Sequence, residues 1–337
     1  MLLENKSILL TTPEYPPSKP GGIATLSKAV VDALRANGAD VEVGLWTKPK
    51  QITRLVKPHH TNLIHSHYWP TVWLSKDDRA RSINLIHGAE LLTYSKNIAT
   101  KLLKNLTKPY VNKCIEQAKA NIFISQFSFE TACLLGLKPN YERDIIFPNR
   151  IDLSDIHRPV IKPLDGVDEI RLCCFARDVP HKNIKGTIRF AEILSKVANK
   201  KITLRLGPGN YASDIIKINC KIVRDDQRDD IYRGSHFNLI FSLDQSDRGN
   251  FEGFGLTPLE AARFGTPSVG LRQAGLIESI HDGKTGWLLD EINSQSVESW
   301  WSLAKSQYEM ISQNSYDHTI SNHNSKDYAL LFSGLLS

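Results

Sequence analysis

Residues 170–197 read IRLCCFARDVPHKNIKGTIRFAEILSKV. The opening run, Ile170–Ala176, is almost continuously apolar, which is how a strand covered on both faces of a parallel sheet is written. A turn carrying Arg177, Pro180 and Lys182 follows, and Ile184–Val197 reads as a helix. This strand–loop–helix unit recurs along the chain, and such alternation specifies parallel α/β sheets.

Toward the C-terminus the strands expected are Ile202–Leu206, Lys221–Val223, Phe237–Ser242, Ser268–Leu271 and Trp287–Leu289. Helices are expected at Pro258–Phe264, near Ile277–His281 and at Val297–Met310, the last followed by a polar stretch. Toward the N-terminus, Ser7–Thr12, Val41–Trp46, Leu63–His67, Ile83–His87, Asn121–Ser125 and Ile145–Phe147 read as strands. A helix from Gly22 to about Asn37 has an apolar stripe of Ile23, Leu26, Val30, Ala33 and Leu34, with Gly38 closing it. The text turns irregular between Pro148 and Glu169, as an interdomain linker does. The expected fold class is therefore α/β, with two doubly wound domains: 1–152, 153–318, and a C-terminal segment 319–337 whose apolar Tyr328–Leu336 packs back on the first. In such sheets ligands bind beyond the C-terminal strand edges, which puts the expected site in a cleft between the domains.

The chain has 337 residues, 41% of them hydrophobic and 23% charged, a composition of soluble enzymes rather than disordered or fibrous proteins. Met1–Ile8 lacks the basic head and long apolar stretch of a signal peptide, and no 18-residue apolar run exists. The five cysteines are scattered without a C-x₂-C pair, so reduced core thiols in a cytoplasmic protein are expected and a zinc site is not. A net charge of +6 suits anionic small molecules or an anionic membrane and is too weak to indicate nucleic acid.

Three places have residues suited to chemistry. Gly21 and Gly22, after Pro20, open the first helix, where free backbone N–H groups attract an anion; a plain Pro-Gly turn has the same letters. Arg177 and Lys182 at a strand's C-terminal edge suit a diphosphate, one as a planar fork and the other as a point charge. In Phe251-Glu252-Gly253-Phe254-Gly255-Leu256-Thr257-Pro258-Leu259-Glu260, Thr257 suits a helix N-cap and Glu260 its first turn. Glycine N–H groups there offer donors to a diphosphate, while Glu252 and Glu260 accept from sugar and ribose hydroxyls. His65 and His67 lie on one face of a strand and line a cleft rather than hold metal. The run Asp225–Asp230, interleaved with Arg224, Arg228 and Arg233, reads as a solvated helix start rather than an acidic metal motif. Six lysines stand against one glutamate in Lys96–Lys119. There Lys101, Lys104 and Lys108 share a helical face, and Ile98, Leu102 and Leu106 another; this suits an anionic membrane or an ordinary surface helix.

Taken in order, these motifs resemble the GT-B-fold retaining glycosyltransferases, in particular glycosyltransferase family 4. Gly21-Gly22-Ile23 is similar to that family's N-terminal glycine loop, Leu63–Trp69 to its third strand, Ile86-His87-Gly88 to its histidine-bearing strand end and Pro148–Asp152 to its hinge. Arg177 and Lys182 match its arginine–lysine pair, and Glu252 and Glu260 its E-x₇-E motif. Ala176, Arg150 and Asn183 stand where the family has glycine, which bears on loop conformation. The resemblance implies a metal-independent transferase without cofactor, taking a nucleoside-diphosphate sugar to a saccharide or lipid-linked acceptor with retention, in bacterial polysaccharide or lipopolysaccharide assembly. It implies catalytic roles for His87, Arg177, Lys182 and Glu252. Donor contacts would come from Gly21, Gly22, Gly253, Phe254, Gly255, Leu256 and Glu260 as well, and acceptor-side contacts from His67, Tyr68, Trp69 and Glu90. The alternatives are a sugar-nucleotide epimerase of the same fold and a non-catalytic sugar-nucleotide-binding subunit. The location implied is the cytoplasm, peripheral on the inner face of the membrane.

Overall fold

A computed structural model describes residues 2–17, 21–155, 158–159, 161–221 and 225–336. In the first half the order is β1 (Ser7–Thr12), α1 (Gly22–Ala36), β2 (Asp40–Leu45), α2 (Ile52–Leu55), β3 (Asn62–His65), α3 (Lys76–Ala80), β4 (Ser82–Ile86), α4 (Ile98–Glu116), β5 (Ala120–Phe123), α5 (Gln126–Leu134) and β6 (Asp144–Ile146). The second half contains β7 (Glu169–Cys174), α6 (Ile184–Ala198), β8 (Lys201–Leu206), β9 (Lys217–Cys220), α7 (Asp225–Gly234), β10 (Phe237–Ile240), α8 (Thr257–Ala262), β11 (Ser268–Leu271), α9 (Leu276–Ser279) and β12 (Gly286–Leu289). Helices α10 (Ser294–Asn322) and α11 (Asp327–Leu336) close the chain.

The strands form two six-stranded parallel sheets, in the orders β2-β1-β3-β4-β5-β6 and β12-β11-β10-β7-β8-β9. Each sheet winds one way and then the other, so each has a point where successive connections leave in opposite directions. It lies between β1 and β3 in the first sheet and between β7 and β10 in the second. Crevices open at the C-terminal strand ends at such points.

The chain divides into two compact units, Met1–Asp152 with Ser246–Phe254 and His323–Ser337, and Leu153–Gln245 with Gly255–Asn322. In the second unit the core is aromatic: Phe237 lies 5.1 Å from Trp300 and 5.2 Å from Tyr308, and Phe190 packs on Phe241 and Trp300. Each such side chain contributes about 1.5–3 kcal/mol by leaving water. In the first unit the sheet interior also holds a polar ladder. Thr71 Oγ1 donates to Asn84, Asn84 Nδ2 to Asn121 Oδ1 at 2.9 Å, and Asn121 Nδ2 to Asp144 Oδ1 at 2.8 Å. The strand register sets Asn84, Asn121 and Asp144 side by side, so these buried side chains partner one another.

Several sequence expectations shift. Of the strand expected at Lys221–Val223, Ile222 and Val223 lie outside the described residues, as do Pro20, Ile156, His157, Val160 and Arg224; β9, which no expectation covered, ends just before it at Cys220. The last long helix does not stop near Met310 but runs to Asn322, because Ile311, Ser312, Ser315 and Thr319 continue its buried stripe with small polar residues. The expected linker is partly anchored: buried Lys162 donates to the Arg233 carbonyl at 3.0 Å, and Leu164 joins the core. Arg150, where a glycine was expected, lays its guanidinium over Phe147 at 4.2 Å and pairs with Asp327 at 3.2 Å. Helix α11 packs on α1, and the Lys6 ammonium donates to the Leu336 carbonyl at 2.5 Å. The five cysteines are free thiols, with Cys114, Cys173 and Cys174 buried. Among the described residues, no helix is long and apolar enough to cross a membrane.

Candidate active site

In the first unit, β1 and β3 end at its switch point. His65, at the end of β3, is a core residue: fully buried, its ring nitrogens meet the hydroxyls of Thr11 at 2.7 Å and Ser82 at 3.1 Å. Two residues on, the His67 Nδ1 accepts the Trp69 N–H at 3.3 Å, which leaves the proton on Nε2. Burial pushes this imidazole down to about 3, so it is a neutral donor at working pH. Its ring stacks on Tyr68 at 5.4 Å and meets Trp46 edge-on at 6.0 Å. Tyr68, expected to face an acceptor, is 3% exposed and donates its hydroxyl to the Glu90 carbonyl at 3.1 Å. It therefore supports the neighbouring turn instead. Trp69 is half-buried and stacks on Tyr68 at 5.3 Å.

His87 follows β4. Its Nε2 donates to the Ser66 carbonyl at 2.9 Å, and since a carbonyl only accepts, the neutral ring has its lone pair on Nδ1. Glu90 Oε1 accepts the His87 N–H at 2.7 Å, so this carboxylate shapes the turn that presents the imidazole; burial raises its pKa. The Phe251–Phe254 stretch belongs to this unit and packs on the same turn. The Phe251 ring stands edge-on to Phe127 at 5.0 Å, and Phe254 lies 5.8 Å from His323. Gly88 adopts φ +95°, and a Cβ there would come within 2.9 Å of the Phe251 ring and Ser128. A Cβ on Gly253 would lie 2.5 Å from the His87 carbonyl oxygen. The structure thus brings Gly253, the residue after Glu252, to His87 across about half the chain. Gly21 caps α1 in extended backbone, and the Glu14 carboxylate occupies the space where its side chain would be. Gly22 begins the helix itself.

In the second unit, Arg177 and Lys182 leave β7 through a tight turn. Val179 N–H bonds the Arg177 carbonyl and Lys182 N–H the Val179 carbonyl, both at 2.9 Å. Asn183 takes the left-handed conformation, φ 50° and ψ 48°, which asparagine tolerates better than most residues. Its Oδ1 accepts the Gly186 N–H at 3.1 Å and caps α6, so asparagine here does the work of a glycine and a cap together. Leu243 N–H bonds the His181 carbonyl at 2.7 Å, tying this cation-bearing loop to the exit of the adjacent strand β10. Arg177 is exposed and Lys182 half-buried.

After β10 the chain re-enters this unit at Gly255, whose φ of +89° and 3.1 Å approach to Leu276 require glycine. Helix α8 is capped by Leu256 rather than by Thr257, which is its first residue; Pro258 is second. Glu260, in the first turn, accepts a hydrogen bond from the Tyr232 hydroxyl at 3.0 Å and faces Arg228 at 3.9 Å. The acidic run before it is an ion-paired helix, with Arg263–Asp229 and Arg233–Asp230 bridges. Sequence reading gave no role to Tyr232, Phe251 or Ser66. Tyr232 has a weak signal, an aromatic amid a charged helix; the other two have none, since their partners are distant in the chain.

One group among the described residues has the side chains for a metal: Glu42, His59 and His60. His60 Nδ1 accepts the Lys57 N–H at 3.1 Å and its Nε2 meets Glu42 at 3.1 Å, while the Lys57 ammonium bonds the same carboxylate. A metal on Nε2 would require a proton on Nδ1, opposite another donor, so the group fits a brace better than a cation site.

Residues 162–316 match the family model of glycosyl transferases group 1. The D-inositol 3-phosphate glycosyltransferase of Rhodococcus opacus is 26% identical over 273 residues, covering 69% of this chain and 57% of that protein, so the chain spans little more than half of this relative. The GDP-mannose-dependent alpha-(1-6)-phosphatidylinositol monomannoside mannosyltransferase of Mycolicibacterium smegmatis is 24% identical, covering 86% of this chain and 87% of its own. The crystal structure of Anabaena HepE in complex with UDP and glucose superposes with a TM-score of 0.67 at 15% identity, covering 98% of this chain and 99% of the other. The fold is GT-B.

Proposed function

We propose, from the premise that residues 162–316 belong to the glycosyl transferases group 1, that this chain is a glycosyltransferase taking its sugar from a nucleoside diphosphate. The observation that carries the reading is topological. Arg177 and Lys182 follow β7, Glu260 follows β10, and these neighbouring strands flank the switch point of the second sheet. Cations and a carboxylate at one crevice suit a diphosphate beside a ribose. The UDP and glucose of HepE, and the GDP-mannose dependence of the mannosyltransferase, support a nucleotide-sugar donor.

In this reading Arg177 and Lys182 stabilise the charge that grows on the departing diphosphate, work a divalent metal does in other sugar-transfer folds. Glu260 holds the ribose hydroxyls and Glu252 the transferred sugar. His87 accepts a sugar hydroxyl at Nδ1, because Ser66 holds Nε2. Anomeric configuration is retained, the leaving phosphate taking the acceptor's proton. The acceptor is a saccharide or a lipid-linked saccharide of a bacterial surface polysaccharide or lipopolysaccharide, and the phosphatidylinositol in the mannosyltransferase's name favours the lipid-linked form.

A thermal-shift screen with UDP-, GDP-, ADP- and CDP-sugars identifies the donor, since a ligand bound only by the native state raises the melting temperature. Product analysis with an added acceptor then checks the reaction. A new glycosidic bond with the donor's anomeric configuration, formed in EDTA, is the expected outcome; an isomerised nucleotide sugar, or binding without turnover, contradicts it.

The same reading places the chain on the cytoplasmic face of a membrane through α4. Ile98, Leu102, Leu103, Leu106 and Tyr110 are 83, 59, 60, 70 and 53% exposed and form one arc of the helix. The lysine face expected from sequence is not free: Lys104 and Lys108 donate to the carbonyls of Tyr94 and Leu91, and burial lowers the Lys108 ammonium to about 8. Contact with lipid is thus apolar first, with exposed Lys101 and Lys113 adding charge. Co-sedimentation with anionic liposomes should fall at least tenfold in the Leu102→Asp, Leu106→Asp double variant. Equal binding by wild type and variant would remove the membrane role.

A further inference from the structure

Tyr232 is fully buried in α7, 28 residues before the glutamate it touches. Its ring lies edge-on to Phe175 at 5.1 Å and stacks on Phe264 at 6.5 Å, and its carbonyl accepts the Thr266 hydroxyl at 2.7 Å. The ring position is therefore set by packing that does not involve the phenol oxygen. That oxygen meets Glu260 Oε2 at 3.0 Å, and the Arg228 guanidinium approaches the same atom at 3.9 Å. Among the described residues, no hydrogen bond reaches Glu260 Oε1. A glutamate in the first turn of a helix has several rotamers open to it, and a donor fixed to one oxygen selects the rotamer and decides which oxygen is left for a ligand.

We infer that Tyr232 is a positioning residue for the donor site: by holding Glu260 Oε2 it presents Oε1 to the 2′,3′-diol of a nucleoside diphosphate. The inference rests on the glycosyltransferase reading, which supplies the ribose. The hydroxyl remains a donor throughout the working range, because burial and the adjacent carboxylate push the phenol well above its ordinary value. Arg228 contributes charge to the same oxygen but, being 29% exposed, holds it less firmly.

The Tyr232→Phe variant removes one oxygen atom and keeps the ring. Calorimetric titration with UDP and GDP should show roughly tenfold weaker binding than wild type for whichever nucleotide the protein takes. The 2′,3′-dideoxy form of that nucleotide should bind both proteins alike. In turnover the donor KM should rise by the same factor with kcat within about twofold, and in a Glu260→Ala background Tyr232→Phe should change neither binding nor KM. Unchanged UDP and GDP affinity in Tyr232→Phe, or an equal loss for the dideoxy nucleotide or in the Glu260→Ala background, overturns the positioning role and leaves the transferase reading standing. Wild-type protein that binds neither nucleotide nor any nucleotide sugar overturns the transferase reading, and this one with it.

Discussion

The Lys182→Ala variant is expected to transfer sugar about 10²–10³-fold more slowly than wild type at saturating donor, the loss seen when one preorganised charge-stabilising group is removed from a reacting site. The magnitude follows from how the backbone that carries the ammonium is held. Lys182 ends a single 3-10 turn whose geometry is pinned on one side by its own N–H to Val179 and on the other by left-handed Asn183, which caps α6. The His181–Leu243 bond fastens the turn to the next strand. A charge carried on a fixed turn needs less reorganisation when the diphosphate departs. Lys182→Arg should recover only part of the rate, because the planar fork is wider than the ammonium and the site is half-buried. Arg177, which is exposed, should cost less when replaced by alanine. Steady-state kinetics on all three variants checks the order, and wild-type turnover by Lys182→Ala removes the proposed role.

Gly253→Ala should lower kcat about 10²-fold, the scale of a roughly 1 Å displacement of a reacting group, although it adds a single methyl. The new Cβ would stand 2.5 Å from the carbonyl oxygen of His87, a backbone atom that cannot swing aside. Either the Glu252 loop or the His87 turn must move, and each carries a side chain assigned to the transferred sugar. Gly21→Ala is the control. Its Cβ also meets an atom at 2.5 Å, but that atom is the far end of the Glu14 side chain, which rotates away, and the backbone there is extended. Its kcat should stay within about twofold of wild type, since a rotamer change costs on the order of 1 kcal/mol or less. Equal losses in the two variants would show that phosphate contact, not packing on His87, sets the need for glycine.

Both variants bear on how much of the site is legible in the sequence. The glycines of 251–260 were legible as a loop opening a helix, yet they do different things. Gly253 lets the loop lie on His87, and Gly255 supplies a positive φ beside Leu276. Thr257 had the right chemistry for a cap, but the helix begins one residue earlier than a cap at that position requires. The histidines show the same limit. His65, His67 and His87 look alike in a strand-end pattern, and only contacts separate a saturated core residue from a neutral donor and from an imidazole with a lone pair to spare. In α4 the periodicity set lysines and leucines on different faces, but it could not say which face meets solvent: the carbonyls of Tyr94 and Leu91 draw Lys104 and Lys108 in, while Leu102 and Leu106 stay outside.

Two successive doubly wound sheets, their strand boundaries to within a few residues, and the carboxylates and cations at strand ends were determined by the sequence by itself. The reason is that burial on both sheet faces writes itself locally, as short apolar runs broken by turns and helical stripes. Only the tertiary structure decided which groups hold one another: Tyr232 on Glu260, Glu90 and Ser66 on His87, Asn183 on the start of α6, Arg150 on Phe147 and Asp327. A hydrogen bond or ring contact joins atoms a few ångströms apart whatever their separation along the chain, so its partners leave no periodic trace, and the protonation and orientation of each site residue follow from those partners.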